Sequence, residues 1–531
     1  MISKNALLSV YDKTGIVEFA KELVEMGWTI YASGGTAKKL DEAKVPVKDV
    51  SGLVGGGAIL GHRVVTLSRE VHAGLLATDS KADVAELKQL GIPRIDLVYV
   101  GLYPLVEEIR KPGSTEQSVL EQTDIGGPGM LRSGAKGRRI VICDPRQAEK
   151  VLEWMKAGEP NGDEYRRELA ANAEAIVASY ALESARYTSS GFWNGEINWQ
   201  VAGAKYGENP WQGNAYLYGH NASDPLGLIH FKLEQGTSPS YNNYADIDRL
   251  LQTMTHIAAG YDVNYKKVPY IALGAKHGNV CGAAVGSSKQ EVIKKMLDGD
   301  PRAIFGGLVM MNFKLDKSLS ETLLTYGIKS GRRLLDGVIA SGVDKPAMEN
   351  LSRKGDKCRL LTNAQLGKLS KKSLDLSLRT RYVRGGRLVQ DNYTFILDLK
   401  DKDLDKTSKA DEKEILLAWA IGSTSNSNTI SLVKKQQLIG NGVGQQDRVS
   451  ACELAIKRAK DAGHVVENAS AYSDSFFPFP DGPQTLAKAG VKAILASSGS
   501  VKDNEVKEVM KKAGVVMYMI PDAKGRGFYA H

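Results

Sequence analysis

The sequence predicts an α/β protein with a parallel sheet in its first domain. Residues 6–36 have the pattern strand, helix, strand and glycine-rich turn, which is typical of a βαβ unit. Beyond about residue 198, helical patterns alternate with short apolar strands. The length of 531 residues corresponds to about three or four domains of roughly 100–200 residues each. We therefore expect several α/β domains in series.

The first domain is predicted from apolar runs separated by helical spacing. Residues 6–10 form the first strand, and apolar residues at helical spacing follow until Gly27 ends the helix. Residues 29–32 form the second strand. Further strands are predicted at 97–100 and 139–142, and a closing helix at 165–187. The domain is expected to end near residue 198.

The rest of the chain, residues 199–531, is predicted to form the second domain. Segment 189–219 is rich in Gly, Asn, Trp and Tyr and has no clear periodicity, which favours a boundary there. Helices are predicted at 248–260 and 289–297, and strands at 493–496 and 515–520. The mixed-charge stretch 398–414 is expected to be a solvated loop or helix face.

The composition is that of an ordinary globular protein with a modest positive charge. Hydrophobic residues make up 42% and charged residues 25% of the chain, which argues against long disorder. Lys and Arg number 70 against 61 Asp and Glu, for a net charge of +9. This charge suits small anionic substrates and weak nucleic-acid attraction equally. Because no basic run dominates the chain, nucleic acid is not the leading interpretation.

Cysteine usage and the N-terminus favour a reducing compartment. The cysteines stand far apart, at Cys143, Cys281, Cys358 and Cys452. No C-x-x-C pair occurs, so neither sequence-paired zinc ligands nor a disulfide framework is expected. The first residues reach Asp12 before any long apolar region, unlike a signal peptide. No stretch approaches the roughly 18 apolar residues that cross a bilayer. We expect a soluble, cytoplasmic protein without a membrane partner.

Two glycine-rich motifs in the first domain suggest a ligand site. Successive N–H groups of Ser33-Gly34-Gly35-Thr36, at the start of a helix, can bind phosphate. The alternative is a tight turn with a threonine cap. The second motif, 124–129, places Asp124 beside glycine-rich backbone with Lys136 twelve residues on. These two can form an acid–base pair, and the alternative is a surface turn with a structural ion pair.

Four motifs in the second domain suggest polar ligand binding. Lys276-His277 follows an apolar run and can offer a base beside a cation, although a single histidine is more often structural. The arginines of 379–387 favour RNA or an anionic small molecule. Residues 427–429 with 440–448 suit polar recognition of a small ligand or a capped hairpin. The phenylalanines of 474–481 suit a flat heteroaromatic ring or a core.

Together, and in this order, the motifs resemble one enzyme family. It joins aminoimidazole-carboxamide ribonucleotide (AICAR) formyltransferase to inosine monophosphate (IMP) cyclohydrolase, a bifunctional enzyme of purine biosynthesis. The most specific marks are LLSVYDKTG, ASGGTAKKL, VHAGLLA, TDIGG, YGENPWQ, SYNNYADID, AKHGNVCGAAVG, VRGGRLVQD, GVGQQDR and DSFFPFPDG. Each mark is short, and their shared order makes the resemblance specific.

The resemblance implies a fold, a co-substrate and a partner. Residues 1–198 would be a methylglyoxal-synthase-like cyclohydrolase domain. Residues 199–531 would be the formyltransferase, built from two related cytidine-deaminase-like subdomains without catalytic metal. The formyl donor would be 10-formyltetrahydrofolate, and the nucleotides AICAR, formyl-AICAR and IMP. The family forms a homodimer with formyltransferase sites at the subunit interface, and it needs no nucleic acid.

The resemblance also assigns roles in formyl transfer. His277 matches the residue that removes a proton from the AICAR amine, and Lys276 matches the one that helps charge transfer towards the folate nitrogen. Asn428 matches the residue that polarises the formyl group. Other matching positions, near AICAR or the folate, are Lys205, Tyr206, Asn243, Phe305, Gly306, Asp336, Phe476, Asp481, Arg526 and Phe528.

For the cyclohydrolase, the resemblance implies a second set of residues. The catalytic set is matched by Tyr103, Asp124 and Lys136. The nucleotide contacts are matched by Ser9, Lys13, Ser33, Gly34, Gly35, Thr36, Arg63 and Thr66.

The chain departs from the family pattern at four places, one of which is Ser68-Arg69 where the family has His-Pro. Val65 stands where the family has lysine, and valine can neither donate a proton nor stabilise an oxyanion. His62 and Arg69 are the nearby substitutes. Removing one such donor costs about 10²–10³ in rate, so a formyltransferase with an inactive first domain is the alternative. In the second domain, Lys205 replaces arginine and loses its bidentate fork, and Trp211 replaces histidine.

Overall fold

The computed structural model describes residues 4–61 and 63–531. The chain divides into two compact units, of which unit 1 ends at Asn198 and unit 2 runs from Trp199 to His531. Each unit has its own hydrophobic cores.

Unit 1 contains five strands and nine helices among its described residues. The strands are β1 (Asn5–Val10), β2 (Thr29–Ala32), β3 (Lys48–Asp49), β4 (Leu97–Gly101) and β5 (Ile140–Ile142). The helices are α1 (Ile16–Glu25), α2 (Gly34–Glu42), α3 (Arg69–Leu76), α4 (Lys81–Leu90), α5 (Leu105–Arg110), α6 (Glu116–Glu121), α7 (Gly126–Lys136), α8 (Pro145–Lys156) and α9 (Gly162–Thr188).

The five strands form one parallel sheet in the order β3-β2-β1-β4-β5. The central strand β1 is apolar over most of its length because helices cover both faces of the sheet. Its neighbour α1 buries Ile16, Phe19 and Leu23, which recur at helical spacing. The predicted parallel sheet is confirmed, and the predicted strands agree with the observed ones to within one residue.

Unit 2 holds the remaining elements. Its strands are β6 (Trp199–Gly203), β7 (Tyr216–Gly219), β8 (Lys232–Gln235), β9 (Tyr270–Lys276), β10 (Asn279–Gly286), β11 (Leu308–Met311), β12 (Gly337–Ala340), β13 (Arg359–Thr362), β14 (Arg379–Val383), β15 (Gly386–Gln390), β16 (Asp405–Lys406), β17 (Ile430–Lys434), β18 (Gln437–Gly442), β19 (Ser470–Ser473), β20 (Ala493–Ser498) and β21 (Val516–Pro521). Its helices are α10 (Tyr241–Tyr265), α11 (Lys289–Gly299), α12 (Lys317–Thr325), α13 (Lys345–Leu351), α14 (Glu412–Gly422), α15 (Arg448–Asp461), α16 (Asp481–Lys488), α17 (Asp503–Lys512) and α18 (Asp522–Gly525).

A twelve-stranded sheet in unit 2 consists of two halves with the same connectivity. The first half (residues 232–362) runs β8-α10-β9-β10-α11-β11-α12-β12-α13-β13. The second half (residues 405–521) runs β16-α14-β17-β18-α15-β19-α16-β20-α17-β21. Each half pairs an antiparallel hairpin with three parallel strands. Two related α/β subdomains were expected, and their likeness to cytidine deaminase stays a prediction.

The two halves meet where β10 and β18 pair antiparallel. This pairing places the turn between β9 and β10 at the same edge of the sheet as the end of β18 and the start of β17. We call this the His277 edge, defined by residues 276–278, 443–445 and Asn428. The equivalent turn of the second half, at Lys435 and Gln436, lies at the opposite edge.

Helices α10 and α14 share a core with one face of this sheet. The last turns of α14 are buried all round, from Ile415 to Gly422. Its acid Glu414 is also buried, with 3% of its surface exposed. Residues 398–414 were expected to be solvated, and this expectation is wrong for Glu414 at the end of the stretch. Burial is stable there because Glu414 accepts the Lys435 N–H (2.6 Å) and pairs with Lys492 (3.0 Å).

Candidate active sites

A cavity of about 310 Å³ opens at the carboxyl ends of the parallel strands of unit 1. Strands β1 and β4 lead to Ser9 and Tyr103 in its wall, and β2 leads to Ser33. Carboxyl ends of parallel strands meet at one edge, where ligand sites in open α/β sheets lie. The wall also contains the predicted residues Arg63, Thr66 and Asp124.

The start of α2, which follows Ser33 in the cavity wall, can hold an anion. The hydroxyls of Ser9 and Ser33 lie 2.7 Å apart, and Ser33 precedes α2 without capping it. The first N–H groups of a helix have no partner within it, so those of Gly34 and Gly35 can bind a ligand. The Lys13 Nζ would lie 3.9 Å from a Cβ at Gly35. Burial lowers the pKa of Lys13, which a bound anion would counteract.

The cavity wall also contains the Asp124 carboxylate, held by the start of α7. Its Oδ1 accepts the Gly127 N–H at 2.7 Å, and the Tyr180 hydroxyl lies 2.7 Å from its backbone nitrogen. A Cβ at Gly127 would lie 2.4 Å from the Asp124 carboxylate, so this position needs glycine. Burial raises the pKa of Asp124. The pKa of Tyr103 is raised mainly by burial and to a smaller extent by the negative charge of Asp124. The pair can therefore exchange protons with a ligand.

Five predicted residues do not line this cavity: Lys13, Gly34, Gly35, Thr36 and Lys136. Lys136 is exposed at the far end of α7, and an eleven-residue helix separates it from Asp124 by about 16 Å at 1.5 Å per residue. The expected pairing of Asp124 with Lys136 is therefore wrong within this chain. Thr36 is buried, with 2% of its surface exposed, and bonds to the backbone of Val10.

The position at which the family has lysine is an apolar part of the cavity wall in this chain. Val65 lines the cavity and packs against the core around β1 and β4. Arg63 lines it too and pairs with Glu121. Arg69 is exposed at the start of α3, next to Glu70. His62 lies outside the described residues.

The His277 edge in unit 2 presents the Lys276-His277 pair on a tight turn. His277 and Gly278 both have positive φ (54° and 70°), as a two-residue hairpin turn requires. The Gly278 N–H donates to Asp246 on α10 at 2.5 Å, which holds the turn. His277 is exposed, and Lys276 donates its Nζ to the carbonyl of Phe305 at 2.8 Å.

Further predicted residues of the first half surround this turn. Gly306 has a φ of 70°. A Cβ added there would lie 3.8 Å from the Lys276 Nζ, so the Lys276 side chain lies close to the loop that contains Gly306. Asp336 lies just before β12 and donates its backbone N–H to Gly307. Phe305 is exposed and Asp336 is half-buried, and a substrate can reach both.

The second half adds Asn428, level with His277 on the same edge. Its Nδ2 donates to the Gln445 carbonyl at 2.8 Å, which uses one of two hydrogens. The start of β17 and the His277 turn are two strand spacings apart, about 10 Å. The side chains of His277 and Asn428 can therefore approach a small group that lies between them.

The C-terminal segment brings Arg526 beside Phe476. Arg526 donates to the Ser475 hydroxyl at 2.9 and 3.2 Å, and its guanidinium lies 5.7 Å from the Phe476 ring centre. Phe528 follows two residues later, and Asp481 is exposed at the start of α16.

The remaining predicted residues lie where β6 and β7 lead into α10. The backbones of Lys205 and Tyr206 bond to Pro239 and Tyr241. Asn243 is buried, because its side chain closes a capping box with Ser240.

A cavity of about 210 Å³ at the seam between the halves contains only part of this set. Lys276 and His277 line it from the first half, and Gly440 and Val443 from the second. Asn428, Phe476 and Arg526 lie outside it. The structure therefore places the predicted residues along one edge without enclosing them together.

Two family models match the chain. The model described as "MGS-like domain" matches residues 15–129, and the one described as "AICARFT/IMPCHase bienzyme" matches residues 136–458. Bifunctional purine biosynthesis proteins PurH are similar over nearly the whole chain. That of Bacillus cereus is 34% identical over 97% of this chain and 98% of its own. That of Staphylococcus carnosus is 35% identical over the same shares.

The chain belongs to the AICARFT/IMPCHase bienzyme family. The predicted resemblance is thereby confirmed, and so is the methylglyoxal-synthase-like first domain. A solved structure described as "Crystal structure of ForH" is 34% identical and covers 36% of this chain and 100% of its own. Its TM-score of 0.33 is too low to argue from.

Two glycine-rich motifs of this bienzyme allow helices to pack closely on strands, a role that sequence reasoning missed. A Cβ at Gly282 of β10 would lie 2.2 Å from the Met296 carbonyl of α11. A Cβ at Gly440 of β18 would lie 2.3 Å from the Ala455 carbonyl of α15. These glycines let each helix pack directly on its hairpin. Residues 440–448 form the end of the β17–β18 hairpin and the capped start of α15, as the alternative interpretation had it, and polar recognition there stays a prediction.

Sequence reasoning also missed Asp246 and Arg249. Both lie on α10 and are buried, with 8% and 7% of their surface exposed. A charged residue on the buried face of a long helix is a usable signal, because burial of charge is costly unless it has a role. The RNA interpretation loses support, since Arg379 stacks on Tyr529 with its guanidinium 3.6 Å from the ring centre.

Two further features concern metals and membranes. Among residues 4–61 and 63–531, no group of three or more His, Cys, Asp or Glu side chains is placed to hold a metal ion. Across the same residues, no helix is both long and apolar enough to span a bilayer.

Proposed function

We propose that this bienzyme transfers the formyl group of 10-formyltetrahydrofolate to the 5-amino group of AICAR, and then closes the product to IMP. The observation that carries the proposal is the family match over both units, with a separate candidate site in each. The two sites lie on different folds, one for each of the two consecutive reactions.

Formyl transfer takes place at the His277 edge in this proposal. The AICAR amine attacks the formyl carbon, and His277 takes the proton that the amine loses. Lys276 lies beside it as a cation and supports protonation of the folate nitrogen as the C–N bond to the formyl group breaks. The second Nδ2 hydrogen of Asn428 donates to the formyl oxygen, on which negative charge develops.

AICAR binding is assigned to the residues around this turn. Arg526 and Lys205 supply positive charge for the phosphate, and Phe476 and Phe528 supply ring faces for the imidazole. Tyr206, Asn243, Phe305, Gly306, Asp336 and Asp481 complete the proposed nucleotide and folate contacts.

Ring closure takes place in the cavity of unit 1. The phosphate of formyl-AICAR binds at the α2 N-terminus with Ser9, Lys13, Ser33, Gly34 and Gly35. The carboxamide nitrogen attacks the formyl carbon, and the formyl oxygen leaves as water after proton transfers. Asp124 and Tyr103 carry these protons, and both have raised pKa values because of burial.

Val65 does not by itself favour the alternative of an inactive first unit. The relatives are similar over 97% of the chain, and unit 1 keeps a closed set of polar groups around its cavity. With Val65 in the wall, Arg63 is the nearest cation of the described lining, and Thr66 a hydroxyl donor.

The test of formyl transfer is product analysis with AICAR and 10-formyltetrahydrofolate. Chromatography should show formyl-AICAR or IMP together with tetrahydrofolate. His277→Ala should lower kcat by about 10²–10⁴, whereas the exposed His230→Ala should not change it. Absence of turnover in the unchanged chain would contradict the proposal.

The test of ring closure supplies formyl-AICAR directly. IMP should form well above the uncatalysed rate, and Tyr103→Phe should slow it. If IMP forms only at the uncatalysed rate while formyl transfer proceeds, unit 1 is an inactive remnant and Val65 is the first residue to restore to lysine.

A further inference from the structure

Arg249 and Tyr529 join the separate parts of the His277 edge. Arg249 lies on α10 one turn after Asp246, which holds the His277 turn. Its guanidinium donates to the Thr424 carbonyl (2.8 Å) and the Asn426 Oδ1 (3.1 Å) in the second half. One helix face therefore contacts both the turn that carries His277 and the segment that leads to Asn428.

Tyr529 lies between two guanidinium groups. Those of Arg249 and Arg379 each lie 3.6 Å from the centre of its ring. Its hydroxyl donates to Asp248 at 2.5 Å. Stacked cations on a ring are attracted by its quadrupole, and more strongly when they are desolvated. The ring is therefore fixed in position, orientation and depth.

This ring also fixes the segment that carries Arg526 and Phe528. The Tyr529 N–H donates to the Ser425 carbonyl at 2.9 Å, and the Ser427 N–H donates to the Ala530 carbonyl at 3.0 Å. The C-terminal segment thus pairs with the residues immediately before Asn428, and the stacked ring locks the pairing to α10.

The burial of the Arg249 guanidinium costs free energy of folding. It is buried, its Nε has no hydrogen-bond partner among the described residues, and burial lowers its pKa to about 10. Its hydrogen bonds go to a carbonyl and an amide oxygen. The carboxylates of Asp248 and Asp246 offset part of the cost of burial through their charge, without a hydrogen bond to Arg249 in the described part of the chain. Such a charge is retained when its geometry has a use.

We propose that Arg249 and Tyr529 are positioning residues of the formyltransferase, which set Asn428, Arg526 and Phe528 in register with His277. This inference rests on the proposed function. The two reactants bind to groups from different segments, and a misplacement of about 1 Å can cost about 10²-fold in rate. The residues act through others and need not contact a substrate.

The test compares Arg249→Met and Tyr529→Leu with the unchanged enzyme. Both substitutions should lower kcat for formyl transfer by about ten- to a hundredfold and raise KM for AICAR, because Asn428 and Arg526 lose their alignment. Tyr529→Phe keeps the stacked ring and should lose less. Ring closure from formyl-AICAR, measured in the same preparations, should stay unchanged as the internal control.

Several outcomes would overturn the inference. Unchanged kcat and KM in a folded Arg249→Met variant, or in Tyr529→Leu, would overturn it even if Tm fell. An equal loss of both activities would do so too, because it would mean general damage. If Arg249→Met does not fold, Tyr529→Leu decides. Failure of the proposed function is distinct, because the unchanged enzyme would then not formylate AICAR.

Discussion

Buried carboxylates at helix–turn contacts serve two purposes in this molecule. Asp246 accepts the N–H of Gly278 in the first half, and Glu414 accepts the N–H of Lys435 at the equivalent turn in the second half. The acceptor binds the second turn residue in the first half and the first turn residue in the second half, and a histidine is present only on the first of these turns. The shared contact is therefore structural, and the adjacent side chain gives the first turn its chemistry.

Asp246→Asn should separate these two purposes. The amide keeps the shape but weakens the acceptor of the Gly278 N–H, so the His277 turn loosens and kcat for formyl transfer should fall about tenfold or more. Steady-state kinetics on the purified variant measure this.

Glu414→Gln is the matched control. It weakens the equivalent contact at the opposite edge and also the pairing with Lys492, and it should lower the free energy of unfolding by about 1–3 kcal/mol. Its kcat should stay that of the unchanged enzyme. Equal kcat losses in Asp246→Asn and Glu414→Gln would show that stability alone explains the effect.

Asp124 should make stability depend on pH. Burial raises its pKa above the usual 3.8, so the folded protein binds this proton more tightly than the unfolded chain. Stability from this group is present below pH 3.8 and is lost as pH rises through the raised folded pKa. Asp124→Asn does not titrate, so its stability relative to the unchanged protein should increase through that window.

Urea denaturation at several pH values above 3.8 tests this for Asp124. The variant should also lose ring closure while keeping formyl transfer. A stability difference that stays constant with pH would contradict a raised pKa of Asp124.

At the scale of elements, glycines decide how closely helices approach the two sites. In unit 1, α7 begins directly against Asp124 because Gly126 and Gly127 have no side chains. In unit 2, Gly282 and Gly440 let α11 and α15 lie on their hairpins. The antiparallel pairing of β10 with β18 places the two hairpin turns at opposite edges, and only one edge combines His277 with Asn428.

Gly127→Ala should abolish ring closure while leaving formyl transfer intact. Its Cβ would lie 2.4 Å from the Asp124 carboxylate and 2.7 Å from the Leu102 side chain, so the start of α7 must move. Gly129→Ala in the same helix is the control, since its nearest neighbour is His72 at 3.5 Å. That variant should gain about 0.5–1 kcal/mol of stability and keep both activities. Activity in Gly127→Ala would mean that the helix start is not critical.

At the scale of the whole molecule, two hairpins of unit 2 expose many apolar side chains. On β6, β7, β14, β15 and the loop between β6 and β7 these are Trp199, Trp211, Tyr216, Tyr218, Tyr382 and Leu388. Trp211 and Tyr382 are 81% and 80% exposed. Exposed apolar surface can mark an interface, and the homodimer with shared formyltransferase sites that the family resemblance implies stays a prediction for these hairpins. It also offers a reason why the His277 edge is not enclosed by one chain.

Leu388→Asp with Tyr382→Asp should weaken that homodimer. Light scattering should show the dimer mass for the unchanged protein and a lower mass for the double variant at the same concentration. Formyl transfer should fall with the dimer, and ring closure should persist. A monomeric but fully active double variant would contradict shared sites.

The sequence by itself determined four of the five strands of the parallel sheet in unit 1, and the family, because apolar periodicity and motif order are local and survive without coordinates. Ser33 and Asp124 were predicted from glycine-rich motifs, and Ser9 and Tyr103 from the family resemblance; all four line one cavity. Only the tertiary structure decided which residues meet. Helix length separates Lys136 from Asp124, antiparallel pairing of the halves brings Asn428 level with His277, and contacts over hundreds of residues join Arg249 to Tyr529. Such long-range geometry depends on packing, which no local pattern encodes.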